Sequence, residues 1–223
     1  MAASHGDEDD FDRFWKWKLR VESTGSSILD ANHIDEAYRR LCRILPRWKA
    51  YRPRKVADCL EKLRYSLENA SAAYDEARRF VLPMFDETPS DALEVLWNEL
   101  GRIKEIDAKT SNDTSYYVVA VCKPLMFLWG QTPAFDSTVR RNIWRWSVPS
   151  EAVNGPKWSF ETWKSVMHNL AALVQQNNGM TTLFEKRAER KFGRGCIVPY
   201  GRFLDVYFYE RENSRVRGKQ TGY

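Results

Sequence analysis

An all-α fold of two helical lobes flanking a cleft is the architecture this chain predicts. Three observations carry that reading. Apolar residues recur at three- and four-residue spacing through most of the chain, as one buried face of a helix requires. Breaks at Pro83, at Ser147-Val148-Pro149 and at Gly193, Gly195 and Pro199 separate periodic segments. No internal repeat occurs, and no alternation of apolar strands with helices calls for a parallel sheet.

The elements follow in order. Residues 1–10 are polar and read as a disordered N-terminus. Phe11 to Lys18 (FDRFWKWK) alternates aromatic and charged residues, which fits either a short strand or a helix pinned to the body by its rings. From Asp35 the spacing of Ala37, Leu41, Ile44 and Leu45 predicts a helix, with Asp30 or Asn32 as its N-cap. The segment PRWKAYRPRK sets Arg47, Lys49, Arg52, Arg54 and Lys55 around Trp48 and Tyr51. It reads either as a solvated connection or as a phosphate-contacting loop. One long helix is expected from Val56 to Val81, ended by Pro83, and another over Ala92 to Ile106 behind a Ser90 cap. In the latter, Leu93, Leu96, Trp97, Leu100 and Ile103 form the buried stripe.

Lys109 to Ser115 (KTSNDTS) is the clearest linker and divides a first lobe, 11–110, from a second, 111–212. In the second lobe Ser159 caps a helix over Phe160 to Gln176, and a further helix runs from Met180 to Phe192. Periodicity leaves FLDVYFYER open between strand and helix, and its Leu204, Val206 and Tyr207 spacing favours helix. A basic tail, 213–223, ends the chain.

Composition narrows the function classes. With 223 residues, 43% hydrophobic and 29% charged, the chain can bury a substantial core. Its +5 charge is a mild bias toward a polyanion partner, and its nine tryptophans are many for this length, a surplus that suits a stacking or carbohydrate-binding surface. Cys42, Cys59, Cys122 and Cys196 are scattered, as are His5, His33 and His168, so no metal site or disulfide framework is indicated. Reduced thiols and an acidic N-terminus predict a cytoplasmic protein, nucleoid-associated if bacterial. The apolar stretch Val118 to Trp129 is too short for a bilayer, so no membrane association is expected. No phosphate-binding glycine loop, GxSxG or HExxH occurs, which leaves lysine and aspartate chemistry or no chemistry.

Such chemistry would sit between Tyr116 and Trp146. Lys123 lies in an apolar helix among Val121, Cys122, Leu125 and Met126. It either snorkels to water or is an amine made neutral, and hence nucleophilic, by desolvation. Asp136, just past the turn at Gly130 to Pro133, is either a helix cap or a carboxylate that activates a nucleophile and stabilises a cationic sugar. Behind it Arg140, Arg141 and Arg145 interleave with Trp144 and Trp146, a pattern suited to holding phosphates and stacking bases.

The order of an apolar helix with lysine, a proline turn and then Phe135-Asp136-Ser137-Thr138-Val139-Arg140-Arg141 resembles the catalytic segment of the helix-hairpin-helix DNA N-glycosylase superfamily. FLDVYFYE is similar to the last helix of its outlying branches, archaeal 8-oxoguanine glycosylase-like and bacterial anti-phage glycosylase-like. The resemblance implies a monomeric enzyme without cofactor or metal that flips a damaged or modified base out of duplex DNA and excises it, in base-excision repair or anti-phage defence. Asp136 and Lys123 would be catalytic, the lysine adding AP-lyase activity. Trp129, Phe135 and Trp144 would line the base pocket. Arg140, Arg141 and Arg145 would hold DNA, helped by Arg47, Lys49 and Arg52. The competing expectation is a non-catalytic helical module that binds nucleic acid or protein.

Overall fold

The computed structural model describes the backbone of residues 5–51, 56–103, 114–147 and 158–220, and side chains over 10–51, 57–103, 118–143 and 158–210. Every regular element among them is helical. These are α1 (His5–Glu22), α2 (Ile34–Ile44), α3 (Val56–Asn69), α4 (Ser71–Ala77), a 3-10 turn (Leu82–Glu87), α5 (Ser90–Arg102), α6 (Thr114–Trp129), α7 (Ser137–Ser147), α8 (Phe160–Gln176), α9 (Asn178–Phe192) and α10 (Tyr200–Gln220). The all-α class is therefore the class of this protein.

Helix α6 is the axis. Every side chain from Val118 through Phe135 is buried, because partners cover it on all sides. Helix α1 packs along it, as does α5. Pro124 lies inside this helix and costs it a backbone hydrogen bond, worth about 3 kcal/mol with the ring clash. Burial of Leu125, Phe127 and Leu128 contributes roughly 1.5–3 kcal/mol each, which outweighs that loss.

The alternating segment FDRFWKWK is helix rather than strand. Phe11, Phe14 and Trp15 fall on one face of α1 and are fully buried. Phe11 and Phe14 meet Phe127 at ring separations of 5.5 and 5.6 Å, and Trp48 meets it edge-on at 5.0 Å. The helix begins at His5 rather than at Phe11, and α10 continues to Gln220 through the stretch read as a basic tail.

The single helix expected over Val56 to Val81 is two, α3 and α4, parted at Ala70. Leu29 supplies an anchor at the break, its carbonyl accepting from Ser71 Oγ at 2.7 Å. Ser90 does not cap α5 with its side chain; its hydroxyl instead accepts from Lys164 Nζ on α8 at 2.8 Å. The stripe Leu93, Leu96, Trp97, Leu100 and Ile103 is buried as expected. Ser159 does cap α8, accepting from the Thr162 N–H at 3.2 Å. Asp30 caps no helix end but organises the turn before α2, accepting from the Asn32 and His33 backbone N–H groups.

Most of the Lys109 to Ser115 linker lies outside the described residues. On either side of it, buried residues of both halves join one continuous hydrophobic core. The turn after α6 is also interior rather than the mouth of a cleft. Gln131 is fully buried, its side chain accepting from the Leu82 N–H at 2.9 Å and donating to the Val198 carbonyl at 3.0 Å. Gly201 donates its N–H to the Gly130 carbonyl at 2.9 Å. A Cβ on Gly201 would lie 2.4 Å from the Thr132 backbone, so only glycine permits this approach.

Candidate functional site

Lys123 and Asp136 are brought into one neighbourhood, and each has hydrogen-bond partners within the fold. Lys123 is 8% exposed, and its ammonium donates to the Trp48 carbonyl. It does not snorkel to solvent, because the loop carrying Trp48 lies over it. Asp136 is half-buried, and its Oδ1 accepts from the Thr138 and Val139 N–H groups at 3.0 and 3.1 Å. That is the N-terminal capping geometry of α7, satisfying two donors that have no partner within the helix.

The group that joins them is one the sequence motifs do not single out. Asp205, on α10, is buried and accepts from the Ala134 N–H at 3.0 Å, with Arg202 at 3.4 Å. Burial pushes its carboxyl up to about 6; Arg202 and Lys123 pull it back, while the charge of Asp136 pushes it further up. The Arg202 guanidinium is held between two rings, 5.0 Å from Trp48 and 5.7 Å from Phe11. A buried lysine, arginine and two carboxylates thus tie α6, the turn before α7, α10 and the Trp48 loop together. The backbone is left-handed at both edges of this cluster, with φ of 53° at Lys49 and at Phe135. Each such non-glycine position costs about 1–2 kcal/mol. The sequence signal for Asp205 is an acid set between apolar residues of a helix, Leu204 and Phe208.

Two of the three aromatics expected to line a base pocket, Trp129 and Phe135, lie in the core instead. Trp129 is 1% exposed and donates Nε1–H to the carbonyls of Ala77 and Phe80, so its ring and polar edge are both committed. Phe135 is fully buried and packs edge-on to Trp158 at 5.2 Å. Trp144 and Arg145 lie on α7 with side chains outside the described set, and Arg52 lies outside the described residues altogether. Of the expected DNA contacts, Arg141 and Lys49 are exposed and Arg140 half-buried. Arg47 spends its guanidinium on Asp10 at 2.9 Å.

A different region concentrates the charge. The C-terminal ends of α1, α4 and α9 and the loop 193–197 enclose a cleft of about 740 Å³. Lys16, Arg20, Arg78, Arg79, Lys191 and Arg194 line it, against a single acid, Glu22. Glu22 is itself taken up by buried Lys18, by the Tyr74 hydroxyl at 2.5 Å and by Arg78 at 3.9 Å. Arg78 also pairs with Asp75, and Lys191 with Asp12. Among the described residues, Lys16, Arg20, Arg79 and Arg194 have no acidic partner. The whole chain holds 35 basic and 30 acidic side chains. Removing the cleft's six and one leaves 29 of each elsewhere, so the cleft's own imbalance of five equals the formal charge of the chain. None of the residues expected to hold DNA lines it. The contributing segments come from the start, middle and end of the chain, and no local motif marks them.

Among the described residues no three His, Cys, Asp or Glu side chains are grouped to hold a metal ion, and no helix is long and apolar enough to cross a membrane. The four cysteines are free thiols. The chain matches no protein-family model, no curated protein and no solved structure.

Proposed function

We propose that this chain is a non-catalytic helical module that binds nucleic acid through the basic cleft. One observation carries the reading: six cations and a single acid line one concavity, and among the described residues four of those cations have no acidic partner. Phosphates neutralised by such cations release condensed counterions, which is the main source of affinity in binding of this kind. In this reading Lys123 and Asp136 hold the fold together. The test is binding of labelled duplex and single-stranded DNA and RNA by anisotropy across a salt series. Four phosphate contacts give a slope of log K against log salt of about −3.6 on duplex and about −2.8 on single strands. Absence of binding at low salt, or a slope near zero, sinks the proposal.

The base-excising glycosylase is the second reading. It is favoured by the convergence of Lys123, Asp136 and Asp205 and by the value of about 6 for Asp205, a range useful for proton transfer at neutral pH. It requires the buried cluster to open, since Trp129 and Phe135 are core residues. Its test is base release from damaged and modified DNA by wild type and Asp136→Asn. Release that the variant loses while duplex binding persists establishes the enzyme. Under the binding reading neither protein releases a base, and both bind alike.

A further inference from the structure

We propose that the cleft seats a nucleoside phosphomonoester, either a free nucleotide or the phosphorylated end of a strand. This rests on the nucleic-acid reading above and narrows it to one chemical group.

The first argument is charge density. Three helices end at the cleft, and each C-terminus carries about half a negative charge, which one cation per helix answers. Arg20 on α1, Arg78 at the end of α4 and Lys191 on α9 occupy those positions. Lys16, Arg79 and Arg194 are then cations beyond what the helix ends explain, and among the described residues Arg20 still has no acidic partner. A phosphodiester within a strand carries one charge, whereas a phosphomonoester carries about 1.5–2 at neutral pH and offers three acceptor oxygens. Convergent guanidinium groups, with their forked donors, suit the second.

The second argument is shape. At about 740 Å³ the cleft falls within the roughly 300–1,000 Å³ of small-molecule sites. Glu22, its one acidic lining residue, is engaged by buried Lys18 and by the Tyr74 hydroxyl. A volume of that size accommodates one terminal nucleotide. The third is the apolar wall: Leu19, Phe192 and Ile197 line the same space and are only half-buried. A ring and two aliphatic side chains beside cations give a base a surface to stack on while its phosphate meets the arginines. Inorganic phosphate would leave that wall unused.

The experiment measures binding of labelled single-stranded oligonucleotides with and without a 5′-phosphate, and displacement by adenosine monophosphate and by inorganic phosphate. Binding at least tenfold tighter with the terminal phosphate is expected, with the nucleotide a better competitor than inorganic phosphate. Arg79→Glu with Arg194→Glu should abolish the preference, whereas Arg39→Glu, on an exposed pair of α2, should leave it intact. A second readout does not depend on these variants: Cys196 lines the cleft and is half-buried, so occupancy should slow its alkylation relative to Cys42. Displacement by mononucleotide at the oligonucleotide's own affinity identifies the free nucleotide as the occupant; weaker displacement identifies the strand end. Equal binding of phosphorylated and unphosphorylated strands overturns the inference, and if the variants weaken both strands the nucleic-acid reading survives it. Protection of Cys196 by the mononucleotide without binding of any strand keeps the inference and overturns the nucleic-acid reading.

Discussion

The substitution Asp205→Asn keeps an oxygen acceptor for the Ala134 N–H while removing the carboxylate charge. In the wild type, burial holds this carboxyl at about 6 rather than at its ordinary 3.8. The gap corresponds to about 3 kcal/mol by which the fold disfavours the ionised form. The sign follows from proton binding. Between pH 3.8 and 6 the folded chain binds more protons at this site than the unfolded chain, so wild-type stability falls as pH rises through that window. The cost is absent below the window and complete above it. The amide of Asp205→Asn does not titrate, so the stability of the variant relative to wild type should grow by about 2 kcal/mol between pH 4.5 and 7.5. The attraction of Arg202, 3.4 Å away, acts on the ionised carboxylate and is already contained in the value of about 6, so it adds no separate contribution. Urea unfolding followed by tryptophan fluorescence at the two pH values measures the difference. A flat difference refutes the reasoning. So does a wild type that gains on the variant as pH rises, because Arg202 and Lys123 would then be holding the carboxylate ionised.

Three further outcomes test the framework around it. Lys123→Met leaves the buried Trp48 carbonyl without its donor and should destabilise the chain by about 1–3 kcal/mol, read by thermal unfolding; an unchanged melting temperature would mean the contact is dispensable. In Lys123→Met the Asp205 carboxyl also loses an attraction that lowers it, so the pH-dependent loss of stability should move to higher pH in the same urea series. Gly201→Ala places a methyl 2.4 Å from the Thr132 backbone and should cost about 1–3 kcal/mol or more, whereas Gly25→Ala, with nothing within 4 Å of the added carbon but φ of 83°, should cost only its backbone strain; thermal unfolding of the pair compares them.

The fold was legible where periodicity was long and local. The stripe of α5 and the Ser159 cap of α8 depend on residues within a turn or two of one another, so the sequence displays them directly. FDRFWKWK was ambiguous because aromatic–charged alternation fits a strand as well as a helix; the ring contacts with Phe127, far along the chain, decide for the helix. The break at Ala70 was hidden because its anchor, the Leu29 carbonyl, is also distant in the chain.

Residue type and spacing were enough for the all-α class, for the interior character of Val118 to Trp129, and for the unusual placement of Lys123 and Asp136. What those residues do depends on long-range contacts. Lys123 meets a carbonyl from a loop 75 residues earlier, and Asp136 shares its field with Asp205 from the last helix, contacts that no local pattern encodes. The location of the charge is a tertiary property for the same reason. Six cations from α1, α9 and the segments that follow α4 and α9 are unremarkable singly, and only the convergence of three helix ends makes them a cleft.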